Sequence, residues 1–412
     1  MRIAIVLLAL PGLQGALTAQ ERLTLSQSVE LARATSPELA SARAGARAAA
    51  AWARQAGTWP NPNVVFGRDR TSGLEGVNGQ VTIHLEQRLE VTGVHTADRS
   101  AAVARADAAA ADVLRAEQLL DARVTKSFVH LVSAGRRAAL ADRLRQVADS
   151  AAAIVTRRFA AGDASGFERR RLELEAARYA AAMIAARFEA NSVATELAAL
   201  IGRPGTELEV VDTMPPLGPI ASLDSLLAGL PKRSDLQAGD FMVTAATAEA
   251  TARSREWIPT PTVSAGYKSE ESAGRPGRFT GFVAGLAFPL PLFDRRSEAT
   301  AGRLALADRA RADRDRQHRD AATEVRRLAS GLRALIEQRR VFGSRLGPEA
   351  DVALRSISVA FAEGELPVAQ WVDAVRAYYE AQGALLDLDA AIAGRQADLT
   401  AATGPTEAGG AR

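Results

Sequence analysis

The stretch Gly285-Leu-Ala-Phe-Pro-Leu-Pro-Leu-Phe-Asp-Arg-Arg296 marks a change from strand to helix, and the rest of the chain is arranged around such changes. Its apolar start is typical of a β-strand. Pro289 and Pro291 end that strand, because proline has no amide hydrogen to give to a sheet. Asp294 has the side chain of a helix N-cap, and a long charged helical pattern follows it. We therefore interpret the stretch as a junction between a β-strand and a long helix.

The composition argues against several classes of protein. The 412-residue chain has a formal net charge of +3 at pH 7, and this near balance points away from a nucleic-acid partner. There is no cysteine, so we expect no disulfides and no lipoprotein anchor on an N-terminal cysteine. Alanine is abundant and aromatic residues make up only 5% of the chain, which favours closely packed helices.

The sequence lacks the common motifs of catalysis and cofactor binding. It contains no Walker A loop, no G-x-G-x-x-G, no G-x-S-x-G and no H-E-x-x-H. Its four histidines lie at no metal-ligand spacing, and soft metals would also favour the cysteine that the chain lacks. We therefore predict that the protein is not an enzyme and that it has no cofactor and no tight metal site.

Residues 1–19 have the pattern of a secretory signal peptide. A short basic start precedes an apolar run, and small residues follow up to Ala19, after which we expect cleavage. Beyond residue 20, no segment approaches the roughly 18 uncharged apolar residues of a membrane helix. If the exported protein enters a membrane, it must do so as β-strands.

The rest of the chain presents one order of elements twice: two shorter helices, two strands and two long helices. We predict a first repeat at 20–205, a linker at 206–220, a second repeat at 221–404 and a disordered tail at 405–412. The predicted strands are 63–68, 80–86, 262–267 and 279–288, and the predicted hairpin loops are 71–79 and 269–278. The predicted helices include a short one at 223–236 and long ones at about 96–159 and 297–361.

The two repeats also match in sequence. The tip motif Phe159-Ala-Ala-Gly162 recurs as Phe361-Ala-Glu-Gly364, and Gly202 and Gly404 are separated by the same distance along the chain. Trp59-Pro-Asn-Pro62 matches Trp257-Ile-Pro-Thr-Pro261. At the separation of the tips, Glu86–Gly93 falls opposite Phe288–Arg295. A fixed separation indicates two helical hairpins of equal length, side by side.

The strand at 80–86 alternates between two kinds of side chain. Val81, Ile83 and Leu85 share one face, and Thr82, His84 and Glu86 share the other, which suits a sheet with lipid outside and a water-filled lumen inside. Four strands cannot close a membrane barrel, which needs about eight or more. We therefore expect the chain to oligomerise, and three copies would give twelve strands.

This order of elements resembles the TolC family of outer-membrane efflux proteins over nearly the whole mature chain. The resemblance rests on residues 25–39, on Gln55-Ala-Gly-Thr-Trp-Pro-Asn-Pro62, on Pro289-Leu-Pro-Leu-Phe-Asp-Arg295 and on the two aromatic-x-x-Gly tips. The two proline motifs look most like the heavy-metal (CzcC-like) branch. The resemblance implies a mainly α fold of duplicated long helical hairpins forming an α-barrel, with four strands per chain in a twelve-stranded outer-membrane β-barrel. It also implies a homotrimer that acts as the passive duct of a tripartite system, with a periplasmic adaptor and an inner-membrane RND-type pump.

Three sets of residues are our candidate sites. The periplasmic tips, where the adaptor would bind, comprise Gly162, Asp163, Glu363, Gly364 and Glu365. The barrel-to-helix junction comprises Gly93, Pro289, Pro291, Phe293 and Asp294, and the candidate lumen residues are Thr82, His84 and Glu86. Family members often have acidic rings shortly before the second tip, whereas this sequence has Arg355 and Ser358 there. An acidic constriction would have to come from Asp163, Glu363 or Glu365.

The sequence leaves two other interpretations open. Within the duct hypothesis, export of drugs and other organic compounds, or type I secretion of proteins, competes with export of heavy metals. In a different class, a periplasmic coiled-coil adaptor or scaffold would explain the signal peptide and the helical hairpins. It would not explain the two pairs of strands.

Overall fold

The computed structural model describes residues 22–74, 76–211, 213–216, 218–273, 277–346 and 350–404. The predicted signal peptide at 1–19 and the predicted tail at 405–412 lie outside these ranges. The first half contains α1 (Leu25–Thr35), α2 (Pro37–Ala56), β1 (Asn63–Gly73), β2 (Gly76–Arg88), α3 (Val94–Ala161) and α4 (Gly166–Leu200). The second contains α5 (Leu223–Gly229), a 3₁₀ helix (Leu230–Lys232), α6 (Ser234–Arg255), β3 (Thr262–Glu271), β4 (Arg278–Ala287), α7 (Ser297–Leu346), α8 (Ala350–Glu363) and α9 (Val368–Thr403).

The four strands form one antiparallel sheet in the order β1-β2-β3-β4. Val64 pairs with Leu85 on β2, and Leu85 pairs in turn with Ala265 on β3. Because side chains alternate along a strand, these residues share a face. The mainly α fold with a four-stranded sheet is confirmed.

Local sequence signals begin and end the helices. The Ser36 hydroxyl accepts a hydrogen bond from the Leu39 amide and Pro37 occupies the first turn, so α2 begins at the predicted Ser-Pro break. Ser165 and Glu168 form a capping box at the start of α4. None of the helices in the described ranges has an apolar stretch long enough to cross a membrane.

The chain divides into two compact units. The hairpin unit consists of the described residues up to Thr35, Arg123–Gly218 and Ala334–Arg395. Its core combines both tips, and its largest fully buried members include Leu144 on α3, Leu172 on α4, and Phe361 and Trp371 of the second hairpin. Apolar burial from all four helices fixes their packing beside the tips.

The sheet unit consists of Ser36–Ala122, Pro219–Arg333 and the described residues from Gln396. It holds the sheet and a buried arginine, Arg233, whose side chain is only 6% exposed. Arg233 donates to both carboxylate oxygens of Asp235, to Glu324 Oε2 at 2.9 Å and to the Ala402 carbonyl at 3.0 Å. The C-terminal carbonyls of α9 are therefore capped by an arginine from the start of α6.

Several predicted boundaries were wrong. β1 continues to Gly73 and β2 begins at Gly76, so most of the predicted loop at 71–79 is strand: Thr71 pairs with Asn78 and Ser72 with Val77. Polar side chains do not prevent backbone pairing, so the strand ends next to a hairpin turn need no apolar residues. The predicted loop at 269–278 is likewise shortened by β3, which continues to Glu271.

The helix boundaries also differ in two places. The helix predicted at 223–236 ends at Gly229, because Leu230-Pro-Lys232 forms a 3₁₀ turn and α6 then starts at Ser234. The helix predicted at 297–361 is described as two helices, α7 and α8. Residues 347–349, between them, lie outside the described ranges.

Candidate functional site

The two hairpin tips have the same backbone geometry. Gly162 and Gly364 have φ values of 87° and 89°, a region that favours glycine. At the first tip the Asp163 amide donates to the Arg158 carbonyl at 2.8 Å, and at the second the Glu365 amide donates to the Ala360 carbonyl at 2.9 Å. Both are Schellman caps, which end α3 and α8 in the same way.

Arg158 joins the two tips. Its guanidinium donates to the carbonyls of Phe361 and Ala362, at 3.2 and 3.0 Å, and lies 5.8 Å from the centre of the Phe361 ring. A Cβ added at Gly364 would be 3.2 Å from the same guanidinium. The tips therefore lie side by side, as the repeat predicted, and the first hairpin satisfies the last carbonyls of the second.

The predicted tip residues form an exposed surface over an aromatic core. Asp163, Glu363 and Glu365 are all exposed. Beneath them the Phe361 and Trp371 rings are 5.2 Å apart, and the Arg169 guanidinium lies 4.4 Å from the Phe159 ring centre. The three exposed carboxylates can accept hydrogen bonds from basic or other hydrogen-bond-donating partners.

A polar network links α3, α8 and α9 further from the tips. The Tyr378 hydroxyl donates to Asp351 Oδ1 at 2.5 Å, and Arg143 donates to the same oxygen at 3.1 Å. The hydrogen bond from Tyr378, followed by that from Arg143, lowers the pKa of Asp351 below its ordinary value despite partial burial. Burial first, and then the hydrogen bond to Asp351, raises the pKa of Tyr378 to about 12.

This network predicts a pH dependence of stability. A carboxyl with a lowered folded pKa stabilises the fold above its unfolded pKa of about 3.9, and that contribution is lost as the pH falls through the folded value. Tyr378→Phe removes the hydrogen bond that contributes most to the lowered pKa of Asp351. We therefore expect the difference in free energy of unfolding between wild type and variant to shrink by up to about 1 kcal/mol on acidification. The value is modest because Asp351 is half exposed. Urea unfolding at pH 7 and pH 3 measures it, with Tyr379→Phe as the control. An unchanged difference would contradict the assignment.

The candidate lumen residues lie together on one face of β2. His84 Nε2 is 3.1 Å from Glu86 Oε1, and the side-chain amide of Gln80 donates to the Thr82 hydroxyl at 3.2 Å. Lys268 and Glu270 form a pair at 3.1 Å on the neighbouring strand, where Lys268 is the partner of Thr82. This face is consequently polar along β2 and β3, whereas Val65 on β1 and Val283 on β4 are apolar members of the same face.

The opposite face of the sheet is apolar and exposed. One row crosses all four strands: Phe66 pairs with Ile83, Ile83 with Tyr267, and Tyr267 with Phe282. Phe282 is 97% exposed and Phe66 is 64% exposed. An exposed row of this width marks a surface with an apolar partner.

The structure changes our interpretation of the junction. Asp294 is not the N-cap of α7, which begins three residues later at Ser297. Its carboxylate instead accepts from the Arg296 amide at 2.9 Å, in a turn in which Arg296 has a φ of 60°. Gly93, with a φ of 75°, occupies the corresponding place directly before α3.

The two junctions also share a turn, formed by the residues that follow β2 and β4. This turn corrects the alignment of the two repeats. The Val91 amide donates to the Leu89 carbonyl at 3.0 Å, and the Leu292 amide donates to the Leu290 carbonyl at 2.9 Å. Leu89 is therefore the counterpart of Leu290, one residue away from the match expected at the separation of the tips. The second repeat therefore has one more residue than the first between this turn and its tip glycine.

The remaining junction residues line a groove. Pro289, Pro291, Phe293 and Asp294 border a groove of about 810 Å³ together with residues that include Trp257. Phe293 is fully exposed, and Leu290 and Leu292 are about 70% exposed. The junction of the second repeat therefore has an open apolar surface within the sheet unit.

Sequence reasoning missed the two arginines that cap helices from a distance. Arg158 stands one residue before the tip motif, and Arg233 stands at the position directly before α6. A basic residue near a helix end is a known cap, but the carbonyls that these two cap are 204 and 169 residues away in the chain. Among the described residues, no group of three or more acidic, histidine or cysteine side chains could hold a metal ion.

The chain is similar in sequence to known outer-membrane and metal-resistance proteins. A family model described as outer membrane efflux protein matches residues 28–203 and 229–405. The cobalt-zinc-cadmium resistance protein CzcC of Cupriavidus metallidurans is 25% identical over 370 residues, which cover 87% of this chain and 85% of that protein.

Solved structures agree in fold. The outer-membrane channel OprN superimposes with a TM-score of 0.78 at 19% identity, covering 92% of this chain and 89% of that one. The outer membrane protein VceC from Vibrio cholerae gives a TM-score of 0.76 at 19% identity, covering 92% of this chain and 95% of that one. Since the family model matches both halves, the chain belongs to the outer membrane efflux protein family, a family of channel proteins.

Proposed function

We propose that three copies of this chain form a passive duct through the outer membrane that exports heavy-metal cations. The observation that supports it best is the sheet. One face is polar along β2 and β3, the other is apolar and exposed, and the outer edges of β1 and β4 have no strand beside them in the described chain. Three copies would supply twelve strands, enough to close a barrel and satisfy every edge.

The two faces of the sheet then have different surroundings. The row from Phe66 to Phe282 faces lipid, where exposed aromatic and branched side chains cost nothing. Thr82, His84 and Glu86 face the lumen, where their hydrogen bonds and charges stay hydrated. The wall offers solvation to passing ions and no tight site.

The tips are the proposed contact with a periplasmic adaptor. Asp163, Glu363 and Glu365 are exposed around Gly162 and Gly364, and Arg158 fixes the two turns beside each other. An inner-membrane RND-type pump, reached through the adaptor, would supply the energy and most of the choice of substrate. The junction, with Gly93, Pro289, Pro291, Phe293 and Asp294, is a bend whose alteration would harm assembly before it changed what passes.

The proposed substrate comes from the likeness to CzcC, which is named for cobalt, zinc and cadmium resistance. We also propose that residues 1–19 are a signal peptide removed after Ala19, and that 20–205 and 221–404 are repeats joined by a linker. The protein would then reach the periplasm before assembling, and it would perform no chemistry on what it conducts.

Deletion of the gene tests the proposal. We expect the deletion strain to tolerate several-fold less cobalt, zinc and cadmium, and a plasmid copy to restore tolerance, because export stops when the duct is missing. Fractionation should place the protein in the outer membrane as a trimer. Unchanged metal tolerance with increased sensitivity to organic compounds would reassign the substrate. A soluble periplasmic protein without a trimer would overturn the duct in favour of a scaffold.

A further inference from the structure

We propose that β4 of one copy pairs with β1 of a second copy in the register that β2 and β3 use within the chain, with Gly285 opposite Gly67. This inference rests on the proposed trimer and specifies its interface residue by residue. It commits to a second copy of this chain as the occupant of both open edges of the sheet.

The two strand pairs are counterparts in the two repeats. Gly67 and Gly266 each follow a Pro-x-Pro motif by the same number of residues, so β3 is the counterpart of β1. Gly67 pairs with Thr82, and Gly266 pairs with Val283, which makes Thr82 the counterpart of Val283.

An independent feature confirms this alignment. If Thr82 corresponds to Val283, then Leu89 must correspond to Leu290, since both lie seven residues further along. These two leucines are the ones whose carbonyls accept from Val91 and Leu292 in the matching turns after β2 and β4. Strand register and turn geometry therefore give the same alignment of the repeats.

The inner pair β2–β3 then serves as the template for β4–β1. Within the chain, His84 lies opposite Gly266, Leu85 lies opposite Ala265, and the Leu89 amide donates to the Pro261 carbonyl at 2.9 Å. The counterparts across two copies are Gly285 opposite Gly67, Leu286 opposite Phe66, and the Leu290 amide donating to the Pro62 carbonyl. Leu286 and Phe66 both belong to the apolar face and are 59% and 64% exposed, so the register also matches the faces.

Gly67 gives the strongest argument for this contact. A Cβ at its counterpart Gly266 would lie 2.2 Å from the Ile83 carbonyl oxygen and 2.4 Å from His84 Cα, because β2 approaches that closely. A Cβ at Gly67 would meet nothing within 4 Å, and its backbone is not left-handed. Nothing within one chain requires glycine there, whereas a neighbouring β4 in the template register does.

The junction groove fits the same arrangement. The exposed Leu290 and its neighbouring Pro289 follow β4 directly. Their counterparts in the first repeat already contact the segment before β3, through the Leu89–Pro261 hydrogen bond. The segment before β1 of a second copy, including the 59%-exposed Trp59, would cover this part of the groove.

Disulfide trapping tests the register, because the chain has no native cysteine to interfere. Full-length protein carrying Phe66→Cys and Leu286→Cys should form covalent dimers and trimers in the outer membrane after mild oxidation, since directly opposite residues are within disulfide reach of about 4.4–6.8 Å between Cα atoms. Phe66→Cys with Ala284→Cys, shifted by two residues on the same face, is the matched control and should not cross-link. Equal or stronger cross-linking in the control would overturn the register.

A glycine substitution tests the close approach. We expect Gly67→Val to lower the yield of trimer by about tenfold or more, because the added side chain clashes with the neighbour's backbone. Gly79→Val is the control, since Gly79 lies on an inner strand with nothing within 4 Å of an added Cβ. Normal trimer from Gly67→Val, or no 66–286 cross-link in an intact trimer, would refute the pairing while leaving the duct in place. A wild type without trimers would refute the duct itself.

Discussion

Replacing Trp371 by alanine is expected to lower the free energy of unfolding by about 3–5 kcal/mol, the range for removing a large buried aromatic side chain. Trp371 is 1% exposed and packs against Phe361, with ring centres 5.2 Å apart. Phe361 in turn contacts Arg158, which caps the second tip. The cavity would therefore weaken the core that supports both tips.

Denaturant unfolding of the purified protein in detergent, followed by circular dichroism, measures this loss. Trp371→Phe is the matched variant, since it keeps a ring against Phe361 and should lose less than half as much. An alanine variant as stable as the wild type would show that the hairpin core does not depend on this contact.

The second large effect concerns the buried arginine of the sheet unit. Arg233→Met is expected to cost about 3 kcal/mol, because it leaves Asp235, Glu324 and the Ala402 carbonyl without their shared donor. Both carboxylates are about one-third exposed, so water replaces part of the loss and the value lies at the lower end of the range for buried pairs.

The same unfolding measurement tests this expectation. Arg340→Met is the control: Arg340 pairs with Glu337 on the open surface of α7, and its loss should leave the denaturation midpoint unchanged. Adding Glu324→Gln to Arg233→Met should recover part of the stability, since it removes one unpaired charge. Equal midpoints for the Arg233 and Arg340 variants would contradict the capping role.

Helices were predictable from the sequence because their signals are local. α3 was expected at about 96–159 and extends from Val94 to Ala161, since this stretch has no proline and ends at a glycine tip. The Ser36-Pro37 break was predictable for the same reason: capping involves residues three apart. Strand ends were not, because pairing depends on the partner backbone and polar residues such as Thr71 pair as well as apolar ones.

Long-range contacts could not be predicted from the sequence, for a different physical reason. Arg158 and Arg233 act on carbonyls, which every residue possesses, so no side-chain pattern identifies their partners. Asp294 illustrates the converse: its side chain can cap a helix or close a turn with the amide two residues on, and the sequence alone did not distinguish these outcomes. The tip glycines were predictable because a tight turn at the end of a helix needs a positive φ, which glycine adopts without strain.

Arg296 gives the junction of the second repeat a backbone strain that the junction of the first repeat lacks. It holds a left-handed conformation that costs a non-glycine residue about 1–2 kcal/mol, and its guanidinium lies 3.3 Å from Asp294 and 4.0 Å from Glu256. Its carbonyl also accepts the first hydrogen bond of α7, from Thr300. Gly93, at the matching place before α3, can move between left- and right-handed conformations at little cost. If the helices swing relative to the strands, both repeats must break hydrogen bonds at the junction, because the Gly93 carbonyl also accepts from the Ala97 amide at 3.2 Å and from Arg255 at 3.3 Å. Only in the second repeat does leaving the left-handed conformation also release backbone strain.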